Sequence, residues 1–360
     1  MSWSLKLGRV AGIPIYVHWT FLILIVWVVF DHWSKTHDLA TTLEGLGFTL
    51  SLFACVVLHE LGHAMAARRY GVPTADITLL PIGGVARLQR IPDRPVEELV
   101  VALAGPAVNV VIVGTLYLMG VRLTADPSDP NVMYQGRFLP KLMLVNVFLV
   151  LFNLLPAFPM DGGRVLRALL AMTMEYTRAT RIAASIGQMM AMFFGFLGLT
   201  GNPMLLLIAF FVWIGAESEA RAVQERVLLQ DVRVRDAMLT DYRTLSPGDT
   251  LAHAAELLLA GSQPDFPVVT DGKAVGVLTR DNLMAGLARS GRDARVSEAA
   301  TAGLGTVEAD APLTPAVARL RQGEGPCLQV VEAGRPIGLL TLENIGEYLM
   351  LRSALAGPAR

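Results

Sequence analysis

Gly45-Leu-Gly-Phe-Thr-Leu-Ser-Leu-Phe-Ala-Cys55-Val-Val-Leu-His59-Glu60-Leu61-Gly62-His63-Ala-Met-Ala-Ala67 is an apolar run broken by two histidines and one glutamate. A bilayer core of about 30 Å takes roughly 20 helical residues at 1.5 Å each, and this run reaches that length. Ionisable side chains inside such a helix cost a few kcal/mol each, which marks them as functional candidates. Positions i and i+4 of a helix differ by about 40° in azimuth, so His59 and His63 present their imidazoles to one point. Glu60 lies about 100° away, free to act on a water instead of joining the ligand set.

Working outward, four more stretches lack Asp, Glu, Lys and Arg: 11–30, 99–121, 142–160 and 182–216. Gly201-Asn202-Pro203 divides the last of these into two helices joined by a tight turn, so six spanning helices are expected. The composition agrees: 17% of residues are charged, against about 25% in a typical soluble chain. A net charge of −1 provides no basic field to hold nucleic acid. Two cysteines, Cys55 and Cys327, exclude a disulfide scaffold. The first apolar stretch lacks a small-residue cleavage site and is expected to be retained. Lys and Arg in the connections divide thirteen to four, the minority being Lys35, Arg122, Arg137 and Lys141. That bias predicts both termini in the cytoplasm.

A catalytic zinc takes a third protein ligand and keeps one position open. In Asn153-Leu-Leu-Pro156-Ala-Phe-Pro159-Met-Asp161-Gly-Gly-Arg164, two prolines end the fourth helix just before an aspartate. A broken membrane helix is tolerated where its freed backbone lines a cavity or is buried in protein, so Asp161 is expected at the depth of His59 and His63. The plainer alternative makes Asp161 a cap for the next helix, paired with Arg164. Residues 77–87 are apolar but too short to span, which predicts a re-entrant hairpin turning near Gly83-Gly84. Gly105-Pro-Ala-Val-Asn109 on the third helix reads as a site of close helix packing.

From about Gln224 the composition becomes that of a soluble domain, with an internal repeat offset by 62 residues. Val234-Arg-Asp-Ala-Met238 aligns with Val296-Ser-Glu-Ala-Ala300, and Val275-Gly-Val-Leu-Thr279 with Ile337-Gly-Leu-Leu-Thr341. Each unit reads as a helix, two short β-rich runs and another helix; at about 55 residues it buries little core alone, so the two are expected to pack together. The expected division is 1–223 membrane domain, 224–232 linker, 233–290 and 291–350 the two repeats, and 351–360 a tail.

His59-Glu-x-x-His63 on the second helix, with Asn153-x-x-Pro-x-x-x-x-Asp161-Gly on the fourth, resembles the site-2 protease family of intramembrane zinc metalloproteases. The repeats, including Phe266-Pro-Val-Val269 and Gly276-Val-Leu-Thr279, resemble a tandem pair of CBS domains. The resemblance implies a polytopic α-helical membrane protein with six transmembrane helices and a C-terminal α/β tandem CBS domain. It implies one Zn²⁺ per chain on His59, His63 and Asp161, with Glu60 as general base and acid. Asn153 would steady the developing oxyanion or the substrate backbone, and the Gly83-Gly84 segment would pair with an unwound substrate strand. The implied substrate is a membrane protein with a single transmembrane helix, cut in or near the bilayer. In the cytoplasmic CBS pair, Thr279, Asn282, Thr341 and Asn344 would hold an adenine nucleotide. Asn282 and Asn344 stand where the family often has an acid, which weakens the contact to a ribose. A homodimer through the CBS domains is also implied, and no nucleic-acid partner. The rival readings are a CBS-regulated divalent-metal transporter and a catalytically silent membrane adaptor. A transporter gains nothing from Glu60 off the ligand face and would usually carry inverted repeats.

Overall fold

Ala11 and Gly12 both hold positive φ, 52° and 85°, the pair that a tight hairpin turn with the strand twist requires. In this computed structural model, which describes residues 4–355 except 82, 91, 93, 124–137 and 262, that turn joins β1 (Ser4–Val10) to β2 (Ile13–His18). Ile13, Ile15 and Val17 are buried and alternate with partly exposed neighbours, the period-two pattern of a strand. The uncharged window 11–30 is therefore not one helix. Its first part is strand, and α1 begins only at Trp19 (Trp19–Thr36). Absence of charge marks apolar surroundings but carries no period, and the period decides here.

β2 pairs in parallel with β3 (Thr74–Leu80), which pairs antiparallel with β4 (Gly83–Leu88), giving a sheet of order β1-β2-β3-β4. The β3–β4 hairpin is the one expected over 77–87, but it turns earlier. Leu80 pairs with Gly83 and Leu79 with Gly84, so Gly83 and Gly84 are strand residues and not the turn; residue 82 lies outside the described residues.

The remaining helices of the unit Met1–Arg221 are α2 (Leu39–Arg69), α3 (Pro95–Leu118), α4 (Phe138–Asn153), α5 (Asp161–Ala171) and α6 (Tyr176–Thr200); α7 (Met204–Leu229) continues past its end. Three of them, α2, α3 and α6, are long and apolar enough to cross a membrane by length and composition. The other three windows fall short for separate reasons. α1 carries an Asp31–Lys35 ion pair near its end, α4 has 16 described residues, about 24 Å of helix, and α7 turns polar at Glu217. The break between α4 and α5 falls at Pro156 and Pro159, and Gly201-Asn202-Pro203 separates α6 from α7, both as expected. Arg137, counted in the charge bias, lies outside the described residues.

In the unit Ala222–Arg360 the 62-residue offset is a structural repeat. The first copy contains α8 (Val234–Ala237), α9 (Leu251–Ala260), β5 (Asp265–Thr270), β6 (Lys273–Thr279) and α10 (Arg280–Ser290). The second contains α11 (Val296–Ala299), β7 (Thr301–Ala302), β8 (Gly305–Glu308), α12 (Leu313–Arg321), β9 (Cys327–Glu332), β10 (Arg335–Thr341) and α13 (Leu342–Leu355). Leu245 pairs in parallel with Val268 as Val307 does with Val330. The turns Asp271-Gly272 and Ala333-Gly334 hold the same two positive φ values within a few degrees: 52° and 76°, 50° and 77°. There are two apolar cores, one around Leu251, Phe266 and Leu278 that also takes Val296 of α11, and one around Leu313, Leu328 and Leu340 that also takes Val234 and Ala237 of α8, so the copies exchange their short first helices. Helix α13 reaches Leu355, inside the segment expected to be a tail; residues 356–360 lie outside the described ones.

Candidate metal centre

One stripe of α3 organises the site. Glu98, Val101, Gly105 and Asn109 recur at steps of three and four residues, which places them on a single helix face. Each makes or permits one contact. Val101 accepts a hydrogen bond from His63 Nδ1 at 2.7 Å through its carbonyl. The Asn109 side chain meets His59 Nδ1 at 2.5 Å. At Gly105 a Cβ would come within 2.7 Å of His59 Nε2 and nearer still to His63 Nε2, so only glycine lets the backbone pass this close. Glu98 binds Arg167 of α5 at 2.5 and 2.8 Å. Arg167 is only 2% exposed and also reaches Glu219 at 3.0 Å. A buried ion pair of this kind costs about 3–5 kcal/mol to break by removing one partner. It clamps α5, whose first residue is Asp161, against α3.

His59 Nε2, His63 Nε2 and Asp161 Oδ2 form a triangle with every side 3.1 Å, and all three residues are buried. Asp161 thus meets both histidines across 102 and 98 residues of sequence. It also opens α5 behind Met160, but Arg164 pairs with Glu219, not with Asp161. The triangle fits a zinc ion. Three ligands at about 2.0–2.1 Å in tetrahedral directions lie about 3.3 Å from one another. The Val101 carbonyl can only accept, so His63 carries a proton on Nδ1, and its Nε2 is the nitrogen turned to the Asp161 carboxylate and available to a cation.

Glu60 stands outside the triangle. Its Oε2 accepts a hydrogen bond from the Ala86 N–H of β4 at 3.1 Å, and β4 is the last strand of its sheet. Among the described residues no strand pairs with the far edge of β4, and that edge faces Glu60. Gly84 makes that approach possible, because a Cβ there would come within 2.8 Å of Glu60 Cγ. Asn153 is not brought into the cluster by any hydrogen bond among the described residues. Its Nδ2 donates to the Leu149 carbonyl of its own helix at 2.9 Å.

Sequence reasoning missed Asn109 as a site residue, and Asn146 altogether. Both lie in stretches screened for Asp, Glu, Lys and Arg, where a neutral amide leaves no trace. A search of the same windows for buried-type amides would have found them. Cys55, one turn before His59, is buried and accepts a 3.5 Å contact from Asn146 Nδ2.

In the C-terminal unit a cleft of about 390 Å³ is lined by Thr341 and Asn344 together with Asp241, Arg243, Asp265, Glu343 and Glu347. Thr341 and Asn344 are locked together, Oγ1 donating to Oδ1 at 2.6 Å. Thr279 and Asn282 are not among the lining residues. Thr279 caps α10, and Asn282 Nδ2 donates to Thr301 Oγ1 at 3.0 Å. Burial, reinforced by Asp281 and Glu343, holds the Asp265 carboxyl above its ordinary value. The neighbouring Cys327 thiol is pushed up to about 12 by burial and the charge of Asp265.

Helices of membrane length around two imidazoles and a carboxylate, with a spare glutamate alongside, define a membrane metalloprotease. Residues 47–135 and 131–194 match peptidase family M50, and residues 234–289 match the CBS domain. The zinc metalloprotease MJ0392 of Methanocaldococcus jannaschii is 34% identical over 79% of this chain and 80% of its own length. Rip3 of Mycobacterium tuberculosis is 29% identical over 96% of this chain and 93% of its own length. Among solved structures, the site-2 protease from Methanocaldococcus jannaschii matches at 40% identity and a TM-score of 0.45, covering 61% of this chain and 96% of that one. The chain belongs to peptidase family M50, the site-2 protease family of zinc metalloproteases, and carries a CBS domain. Nothing in these matches supports metal transport.

Proposed function

We propose that this protein is an intramembrane endopeptidase that cuts a membrane-protein substrate in or near its single transmembrane helix, using one zinc ion held by His59, His63 and Asp161. The observation that carries this reading is the buried triangle of 3.1 Å sides with Glu60 beside it on the same helix. Zinc, when bound, lowers the pKa of water toward about 7 and polarises a carbonyl. Glu60 is the base that removes the proton from the attacking water and returns it to the leaving amine. A helical peptide bond is shielded by its own hydrogen bonds, so the substrate must unwind. The open edge of β4 supplies backbone partners to the unwound strand, as an added strand would receive them. Gly83 and Gly84 begin that strand, and Gly84 leaves room for Glu60 against it. Asn153 spends one N–H on the Leu149 carbonyl and keeps its second N–H and its amide oxygen for a substrate. The membrane arrangement consistent with the uncharged windows is six helices with both termini and the CBS pair in the cytoplasm. The test is to strip purified full-length protein with a chelator and restore zinc. Cleavage of a single-span membrane substrate rises in step with zinc content to one ion per chain. Cleavage that survives complete stripping overturns the reading.

For the CBS cleft we propose an adenosine-type ligand bound at Thr341 and Asn344. Four carboxylates, Asp241, Asp265, Glu343 and Glu347, face one guanidinium, Arg243. Like charges about 4 Å apart repel by about 1 kcal/mol in water and about 4 kcal/mol at an effective dielectric of 20. That balance favours adenosine or AMP over a polyphosphate. Calorimetric titration of the full-length protein is expected to give AMP about tenfold or more tighter binding than ATP, a difference of about 1.4 kcal/mol. Equal or reversed affinities would exclude this charge argument.

A further inference from the structure

Asn109 and Asn146 are both fully buried, 0% exposed, on helices that pack beside the metal centre. Their hydrogen bonds run as a line, with one side contact from Asn146 Nδ2 to Cys55 Sγ at 3.5 Å. Asn146 Nδ2 donates to the Leu142 carbonyl at 2.8 Å, Asn109 Nδ2 donates to Asn146 Oδ1 at 2.8 Å, and Asn109 Oδ1 meets His59 Nδ1 at 2.5 Å. The line can be read in only one direction. A backbone carbonyl has no proton to give, so Asn146 must turn its nitrogen toward Leu142. Its oxygen then faces Asn109, which must answer with its nitrogen. The Asn109 oxygen is left for His59, and His59 must answer with a protonated Nδ1. Flipping both amides would set the Asn146 oxygen against the Leu142 carbonyl oxygen, two lone pairs in a buried place.

We infer that Asn109 and Asn146 are positioning residues: they hold His59 as its Nδ1–H tautomer and aim its bare Nε2 at the cation shared with His63 and Asp161. His63 reaches the same state more simply, from the Val101 carbonyl directly. His59 borrows an equivalent carbonyl through two side chains, from Leu142 on a different helix. The consequence is a division of labour between α3 and α4. α3 contacts both imidazoles, whereas α4 decides only how one of them is protonated. Partners of this kind typically change metal affinity by about 10–100-fold when removed.

This inference rests on the zinc reading of the triangle, and the experiment separates the two. Full-length protein labelled with ¹⁵N-histidine is stripped of metal, and two-bond ¹⁵N–¹H couplings report which ring nitrogen of His59 is protonated. The wild-type protein is expected to show Nδ1–H at His59. Zinc affinity is then measured by chelator competition for Asn109→Leu, Asn146→Leu and the double variant. Each single change is expected to weaken zinc by about 10–100-fold. The double variant is expected to be no weaker than Asn109→Leu alone, because Asn146 acts only through Asn109. A wild-type His59 whose Nδ1 carries no proton overturns the relay without needing any variant to fold. Affinity unchanged in Asn109→Leu, or losses that simply multiply in the double variant, overturn it as well. A wild-type protein that takes up no zinc overturns the metal reading itself, and the relay's purpose with it.

Discussion

Glu60→Gln is expected to retain a full complement of zinc and to lose cleavage by about 10²–10⁴-fold, the range that general acid–base groups contribute. The substitution preserves shape, and the new amide oxygen can still accept from the Ala86 N–H that Glu60 binds at 3.1 Å. None of the three ligand-type residues hydrogen-bonds to Glu60 among the described residues, so the triangle has no reason to move. What disappears is the capacity to take a proton from water and give one to the leaving amine. Measuring single-turnover cleavage beside zinc content in the same preparation separates the two effects. Cleavage within tenfold of wild type would remove Glu60 from the proton-transfer role, and loss of zinc would make it part of the ligand set.

Gly105→Ala adds one methyl group and is expected to weaken zinc by about 100-fold or more, beyond the usual cost of an outer-shell change. The added Cβ would meet His59 Nε2 at 2.7 Å and crowd His63 Nε2 more closely, at the edge of the triangle that holds both atoms. The backbone of α3 has little freedom to withdraw. Glu98 is tied to the buried Arg167, Val101 to His63, and Asn109 to His59. Misfolding is not the expected cause, since alanine favours a helix interior over glycine by about 1 kcal/mol. Gly114→Ala, on the same helix with no atom within 4 Å of its added Cβ, is the control. The expected pattern is a thermal midpoint at or above wild type for both variants, with zinc binding lost only at position 105. Wild-type affinity in Gly105→Ala would show that the imidazoles sit elsewhere in the working enzyme.

Some of this site was readable from local pattern. The i, i+4 spacing of His59 and His63 and the two prolines ahead of Asp161 each act within a few residues. So does the 62-residue repeat, because both copies carry the same turns and strand lengths. Periodicity and chain breaks are properties of a segment, and a segment displays them whatever it packs against. The N-terminal hairpin was equally local in the alternation of Ile13, Ile15 and Val17, but a screen for charge alone passed over it.

Local pattern along the chain is enough to set which helix carries the ligands, where the fourth helix breaks and that the soluble part is built twice. Packing between elements is what turns Gly105 to both imidazoles, lays Glu60 against the edge of β4 and leads Asn109 through Asn146 to the Leu142 carbonyl. The Glu60–Ala86, Asn109–Asn146 and His59–Asn109 contacts join residues 26, 37 and 50 positions apart. The face a helix turns toward its neighbour is set by packing between helices, and a neutral amide or a missing methyl group shows its meaning only once that neighbour is in place.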